Sequence, residues 1–143
     1  MAHMHRPDLE CCAPLAPPGQ MMIPTSPEAP AQARTWVREL LGHEDPPLKP
    51  DRLDDVCLVV SELVTNAYRY GTEPGDSMLI AVLPALDRVR IEVHDPVRRR
   101  PYLRNESGER ARGRGLHIVD ALAIRWDVDD RPFGKTVWAE VAR

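Results

Sequence analysis

The chain has 143 residues, of which 43% are hydrophobic and 29% are charged, and its formal net charge is −3. These values are typical of one soluble globular domain, and the negative balance argues against a nucleic-acid-binding protein. No apolar run is long enough to cross a membrane and no export signal is visible, so we expect a cytoplasmic protein without membrane partners. Cys11, Cys12 and Cys57 lack metal-ligand spacing and predict reduced thiols.

A proline-rich segment without hydrophobic periodicity occupies residues 1–18 and predicts a disordered N-terminal arm. Within it, residues 1–3 resemble a cloning remnant in front of a native Met4. The remainder, residues 19–143, has the patterns of helices and strands throughout most of its length and predicts a single domain.

The first half of that domain predicts one strand and two helices. An apolar run that proline ends, at residues 20–24, predicts an edge strand. Ser26 as a cap, with Pro27 in the first helical position, predicts a helix that ends at Gly42. Asp51 predicts the cap of a longer helix that ends near Tyr70 and Gly71. Six apolar residues of that helix share one face at helical spacing: Val56, Val59, Val60, Leu63, Val64 and Ala67.

The second half predicts strands around a loop and a third helix. Residues 78–83 and 88–93 predict a β-hairpin. Residues 96–112 have no periodicity and are rich in arginine, which is typical of a functional lid or a disordered loop. A helix and two final strands follow. The order predicts an α+β fold, a two-layer α/β sandwich with a mixed, mainly antiparallel sheet, helices on one face and a lid loop.

Glu62 and Asn66 lie one turn apart on the long helix and border its apolar face, where a helix can meet a cleft. A carboxylate there can act as a general base towards a hydroxyl or a water. An amide oxygen there can bind Mg²⁺, which prefers oxygen ligands. Residues with this spacing are more often a solvated glutamate and an asparagine near a helix end than a functional pair.

Three further features could bind a nucleotide. Gly113-Arg114-Gly115 opens a helix whose free N–H groups attract phosphate, although a simple helix-start turn has the same pattern. Asp95 ends a strand and can accept a hydrogen bond from an exocyclic amine such as that of adenine, although Asp-Pro is also typical of a turn. The arginines between residues 98 and 114 suit phosphate or an acidic partner, or are simply solvated.

Taken in order, these segments closely resemble the motifs of the GHKL ATPase superfamily, which includes gyrase, histidine kinases and anti-sigma-factor serine kinases and has the Bergerat fold. Residues 61–71 resemble its helical motif, residues 93–96 its adenine-recognition strand, residues 113–122 its glycine box and residues 134–138 its final motif. The residues within the motifs are most similar to those of small actinobacterial members. One departure is that residues 95–99 lack the glycines that many members have there.

The resemblance implies a role for each motif, with ATP and Mg²⁺ as cofactors. Glu62 would be the general base, and Asn66 would bind the metal. Asp95 would contact adenine, with Thr136 near it. The glycine box would close over the phosphates, and the residues implied there are Gly113, Arg114, Gly115 and Leu116.

Small members of this type hold a sigma factor inactive and phosphorylate a serine or threonine on an anti-anti-sigma (STAS-type) protein, which then releases them. The resemblance therefore implies an ATP-dependent serine/threonine-protein kinase that regulates transcription by partner switching. Such kinases commonly dimerise, so a homodimer is a further expectation. The alternative is a nucleotide-gated protein-binding module without useful kinase activity, in which ATP orders the lid and sets the affinity for a partner.

Overall fold

The computed structural model describes residues 19–96 and 116–143. The arm predicted at residues 1–18, the remnant suggested within it and most of the predicted lid, with Gly113, Arg114 and Gly115, lie outside the described residues. In chain order, the elements are β1 (Gly19–Pro24), α1 (Ala29–Leu41), α2 (Pro50–Tyr70), β2 (Ser77–Pro84), β3 (Arg88–Asp95), a helical segment at 116–122 that we call α3, β4 (Arg125–Arg131) and β5 (Gly134–Ala142).

The strands form a five-stranded sheet in the order β1-β2-β3-β5-β4. Each described pair of neighbouring strands is antiparallel, so the sheet is less mixed than predicted. Helix α2 packs over the central strands β3 and β5, and α1 packs against α2 and β1. The predicted α+β fold, with helices layered on a sheet, is therefore confirmed, and β1 is the predicted edge strand.

The core lies between α2 and the sheet, because both elements turn one apolar face towards the other. The six residues of the predicted helical stripe are all buried. Strand β3 alternates, with odd-numbered residues buried and even-numbered residues half-buried. The sheet residues of the core on β3 and β5 are Val89, Ile91, Val93, Val137, Ala139 and Val141. Within the described ranges, no helix combines the length and the apolarity that a membrane span requires.

Both predicted helix starts were wrong by a few residues, whereas the predicted ends at Gly42 and Gly71 are confirmed. Ser26 lies in a turn before α1, where its carbonyl accepts a hydrogen bond from the N–H of Ala29 at 3.1 Å. Helix α2 begins at Pro50 rather than after Asp51. A proline fits the first helical turn because its ring fixes a helical φ and it lacks the N–H that would need a partner.

The apolar face of α2 carries much of the stability, and Leu63 is fully buried in it. We expect Leu63→Ala to lower the free energy of unfolding by about 2–5 kcal/mol, because the truncation leaves a cavity that the packed core fills only in part. Urea denaturation followed by circular dichroism measures the change. Leu58 lies on the same helix but is 42% exposed, so Leu58→Ala is the matched control. Equal losses in the two variants would contradict this packing of α2.

Candidate functional site

Helix α2 has two flanks beside its buried stripe, and only one of them is occupied by α1. On that side Arg34 of α1 donates a hydrogen bond to Ser61 Oγ at 2.9 Å. At about 100° per residue, Ser61 and Glu62 fall on opposite flanks of the stripe, and Asn66 lies on the flank of Glu62. Asn66 is 6% exposed and Glu62 is half-buried. The structure therefore places the predicted base and the predicted magnesium ligand together, on the side of α2 that α1 leaves free.

Asp95 is the last residue of β3 and is almost completely buried. Its Oδ2 lies 3.0 Å from Nζ of Lys135, and the side chains are 0% and 3% exposed respectively. The sheet register pairs the same two residues across β3 and β5. Asp95 is thus a carboxylate held in a buried ion pair, at the end of the strand where the sequence places a base-binding acceptor.

Two glycines allow other elements to approach Asp95 closely. A Cβ added to Gly71, at the end of α2, would lie 2.5 Å from Asp95 Cγ, and one added to Gly134, at the start of β5, would overlap the backbone oxygen of Asp95. The ends of α2 and β3 and the start of β5 therefore meet at one corner. Asn66 precedes Gly71 by about 7.5 Å along the helix axis, from the rise of an α-helix. Asn66 thus lies on the helix that ends at this corner, one to two turns before Gly71.

Gly71→Ala tests this corner. Gly71 has a right-handed helical conformation, with φ of −115°, so its backbone does not require glycine. We expect the variant to lower the free energy of unfolding by about 1–3 kcal/mol, because the methyl group overpacks the carboxylate of Asp95. Gly42 follows α1 in a similar conformation, with φ of −65°, and a Cβ there meets its nearest atom only at 3.2 Å. Gly42→Ala is therefore the control, and equal stability of the two variants would contradict the close approach.

Thr136 lies on the opposite face of the sheet from this corner. Its Oγ1 is 3.0 Å from His94 Nδ1 and accepts a hydrogen bond from Arg131 Nε at 2.8 Å. Successive residues of a strand point to opposite faces, so the side chain next to Asp95 is that of Lys135. The structure does not bring Thr136 to the other predicted site residues. Sequence patterns had not singled out Lys135. Alternation along β5, where Val137 and Ala139 face the core, is the signal that could have identified it.

The structure describes the last part of the glycine box, from Leu116 onward. Leu116, the first described residue after residues 97–115, is half-buried and packs against the core, and Val119 on the next turn is fully buried. Asp120 accepts a hydrogen bond from Trp126 Nε1 at 3.0 Å, which attaches α3 to β4. Leu116 is thereby held at the edge of the core, while Gly113 and Gly115 lie outside the described residues.

The sheet face opposite the helices carries a network of charges that neutralise one another. Glu140 accepts hydrogen bonds from Arg125 and, at 3.2 Å, from Arg88, and the guanidinium of Arg90 lies 4.1 Å from the centre of the Trp138 ring. Burial alone would raise the pKa of Glu140, but the hydrogen bonds from Arg125 and Arg88 hold it below its usual range. These side chains are engaged with one another, so we place the candidate site at the Asp95 corner.

The side chains of Asn66, Asp95 and Glu62 have the donor and acceptor types that a magnesium nucleotide requires. Asn66 supplies one amide oxygen, and Mg²⁺ usually takes only one or two protein ligands together with waters and substrate phosphates. Among the residues that the structure describes, no group of three or more His, Cys, Asp or Glu side chains could hold a metal ion. Asp95 supplies an acceptor for an exocyclic amine, and Glu62 remains half-buried beside Asn66.

Comparison with models of known protein families gives a match over most of the chain. A family model described as the histidine kinase-like ATPase domain matches residues 23–141. A search of curated proteins finds no significant match. The matched range begins in β1 and ends in β5, so it includes all the elements that meet at the corner.

Proposed function

Because the chain belongs to the histidine kinase-like ATPase domain family, we propose that it binds Mg-ATP and transfers the γ-phosphate to a serine or threonine of an anti-anti-sigma (STAS-type) protein. In this proposal the protein is a cytoplasmic anti-sigma factor that regulates transcription by partner switching. The observation that carries the proposal is that Glu62 and Asn66 share the flank of α2 that α1 does not cover, on the helix whose end packs against the buried carboxylate of Asp95.

In the binding step, each of these residues has a separate task. Asp95 accepts a hydrogen bond from the exocyclic amine of the base at the closed end of the site. Asn66 would hold the magnesium ion through its amide oxygen, and the bound ion would neutralise charge on the triphosphate. Leu116 belongs to the glycine box, the segment that would enclose the phosphates.

In the transfer step, Glu62 orients the hydroxyl of the partner and takes its proton. The hydroxyl oxygen forms a bond to the γ-phosphorus, and the bond from that phosphorus to the bridging oxygen of ADP breaks. The products are ADP and a phosphoserine or phosphothreonine on the partner. The half-buried position of Glu62 supports this role, because a base must be reached by a macromolecular substrate.

One observation favours the second candidate, a nucleotide-gated binding module without useful transfer. Asp95 is already engaged with Lys135 in a buried ion pair at 3.0 Å. A base that binds there must share or rearrange this pair, so nucleotide binding would be coupled to a change at the corner. Such coupling shifts a population of states and can set the affinity for a partner without any chemical step.

Mass spectrometry separates the two candidates. The chain is incubated with Mg-ATP and with each candidate STAS-type protein, and the intact mass of both proteins is recorded. The kinase predicts the gain of one phosphate on a partner, together with conversion of ATP to ADP. The binding module predicts association that depends on ATP, measured by size-exclusion chromatography, with both masses unchanged.

A further inference from the structure

We propose that Lys135 is a second base-recognising residue, whose ammonium donates a hydrogen bond to a ring nitrogen next to the exocyclic amine that Asp95 accepts. This inference rests on the proposed nucleotide-binding function and adds a specificity determinant to it. The resemblance to known motifs assigned no role to Lys135.

The position of Lys135 supports the inference. Its Nζ lies 3.0 Å from Asp95 Oδ2, and its side chain is only 3% exposed. The register of β3 and β5 fixes the two residues side by side on the face that α2 covers. Gly134, directly before Lys135, approaches the backbone of Asp95 so closely that a Cβ would overlap it. Any group that reaches the carboxylate therefore also meets the ammonium.

The hydrogen-bonding capacities of Asp95 and Lys135 indicate how the two residues together could recognise a base. A carboxylate only accepts hydrogen bonds, so Asp95 alone would take an amine from any base that presents one. An ammonium has three donors, so Lys135 can hold Asp95 with one and offer another to a ligand. An acceptor beside a donor is complementary to an amine beside a ring nitrogen, which is the arrangement that adenine has on both sides of its amine, at N1 and at N7.

The stability of the fold alone does not explain why this position holds an ion pair. Removing two charges from water costs several kcal/mol per ion, and well-packed apolar residues of the same size are often as stable. The surrounding strand positions of the core are valine, isoleucine and alanine. An open depression of about 260 Å³ lies at the turn between β4 and β5, and its lining includes Asp95, Gly134 and Lys135 together with His94 and Arg131 from the opposite sheet face.

Calorimetric titration of the full chain with ATP and three analogues tests the proposal. The analogues 1-deaza-ATP and 7-deaza-ATP each lack one of the nitrogens that flank the amine, and 3-deaza-ATP lacks a distant one. We expect one flanking analogue to bind about tenfold more weakly than ATP, as the loss of one charge-assisted hydrogen bond predicts, and 3-deaza-ATP to bind like ATP. The analogue that binds more weakly identifies which edge of adenine, N1 or N7, the protein recognises.

Lys135→Met should remove this discrimination. In that variant ATP should bind about tenfold more weakly, and the sensitive analogue should bind no worse than ATP. The exposed residue Lys49 provides the matched control, since Lys49→Met should keep the wild-type preference. If Lys135→Met does not fold, equal binding of ATP and the analogues to the unaltered chain would still overturn the proposal.

Two results would contradict the proposal in different ways. Equal binding of ATP and all three analogues to the unaltered chain would overturn the role of Lys135 and leave the nucleotide site intact. Binding of none of the four would overturn the proposed function and this inference together.

Discussion

Glu62→Gln should lower the rate of phosphate transfer by about 10²–10⁴-fold, the usual contribution of a general base. The amide keeps the size of the carboxylate but cannot take the proton from the attacking hydroxyl. Glu62 is half-buried on the free flank of α2, and in the proposed mechanism it touches the partner's hydroxyl rather than the nucleotide. We therefore expect the affinity for ATP to change little. Single-turnover transfer to a STAS-type partner and calorimetric titration with ATP measure the two quantities.

The control for Glu62 is another glutamate on a neighbouring helix. Glu39 lies on α1 and is exposed, so Glu39→Gln makes the same chemical change away from the site. It should leave both transfer and nucleotide affinity unchanged. Undiminished transfer by Glu62→Gln would exclude the proposed base. Loss of ATP binding in Glu62→Gln, with folding intact, would instead place Glu62 among the nucleotide-binding residues.

Asp95→Ala should lower the free energy of unfolding by about 3–5 kcal/mol, because the substitution leaves the ammonium of Lys135 buried without its carboxylate. The side chains of the two residues are 0% and 3% exposed, so water cannot easily solvate the remaining charge. Urea denaturation at neutral pH gives the value. Asp95→Ala combined with Lys135→Met should regain most of the loss, since the double variant removes both charges.

An exposed ion pair supplies the comparison for Asp95. Asp54 accepts a hydrogen bond from Arg38 at 3.0 Å, and the two side chains are 67% and 51% exposed. Exposed pairs contribute only about 0–1 kcal/mol, so Asp54→Ala should have a small effect. If the double variant of Asp95 and Lys135 were as unstable as Asp95→Ala alone, an uncompensated Lys135 charge would not be the cause of the loss.

The strongly periodic elements were predictable from sequence, and the reason is local. The apolar stripe of α2 repeats at helical spacing, and β3 alternates cleanly, so burial on one side follows from periodicity. The helix starts were less predictable because several candidate caps compete within a few residues. At Pro50, the fixed φ of the ring determined the start of the helix more strongly than the capping side chain of Asp51.

The candidate site was predictable in part. Motifs identify residues, but a change of one position along a strand moves a side chain to the other face. That is why Thr136 bonds to His94 and Arg131, while Lys135 lies beside Asp95. The ion pair joins two strands that are far apart in the chain, so no local pattern could reveal it. The close approach of Gly71 to Asp95 is also a tertiary contact without a local signature.

The hydrogen bond from Trp126 to Asp120 gives the molecule a built-in fluorescent reporter. Helix α3 forms the last part of the glycine box, and a hydrogen bond from the indole N–H of Trp126 links it to β4. Movement of α3 would change the polarity around this indole and shift its emission wavelength. In a protein with Trp36→Phe and Trp138→Phe, only Trp126 would emit. We expect its emission maximum to move on addition of Mg-ATP but not of Mg²⁺ alone, which a titration without any attached label would record.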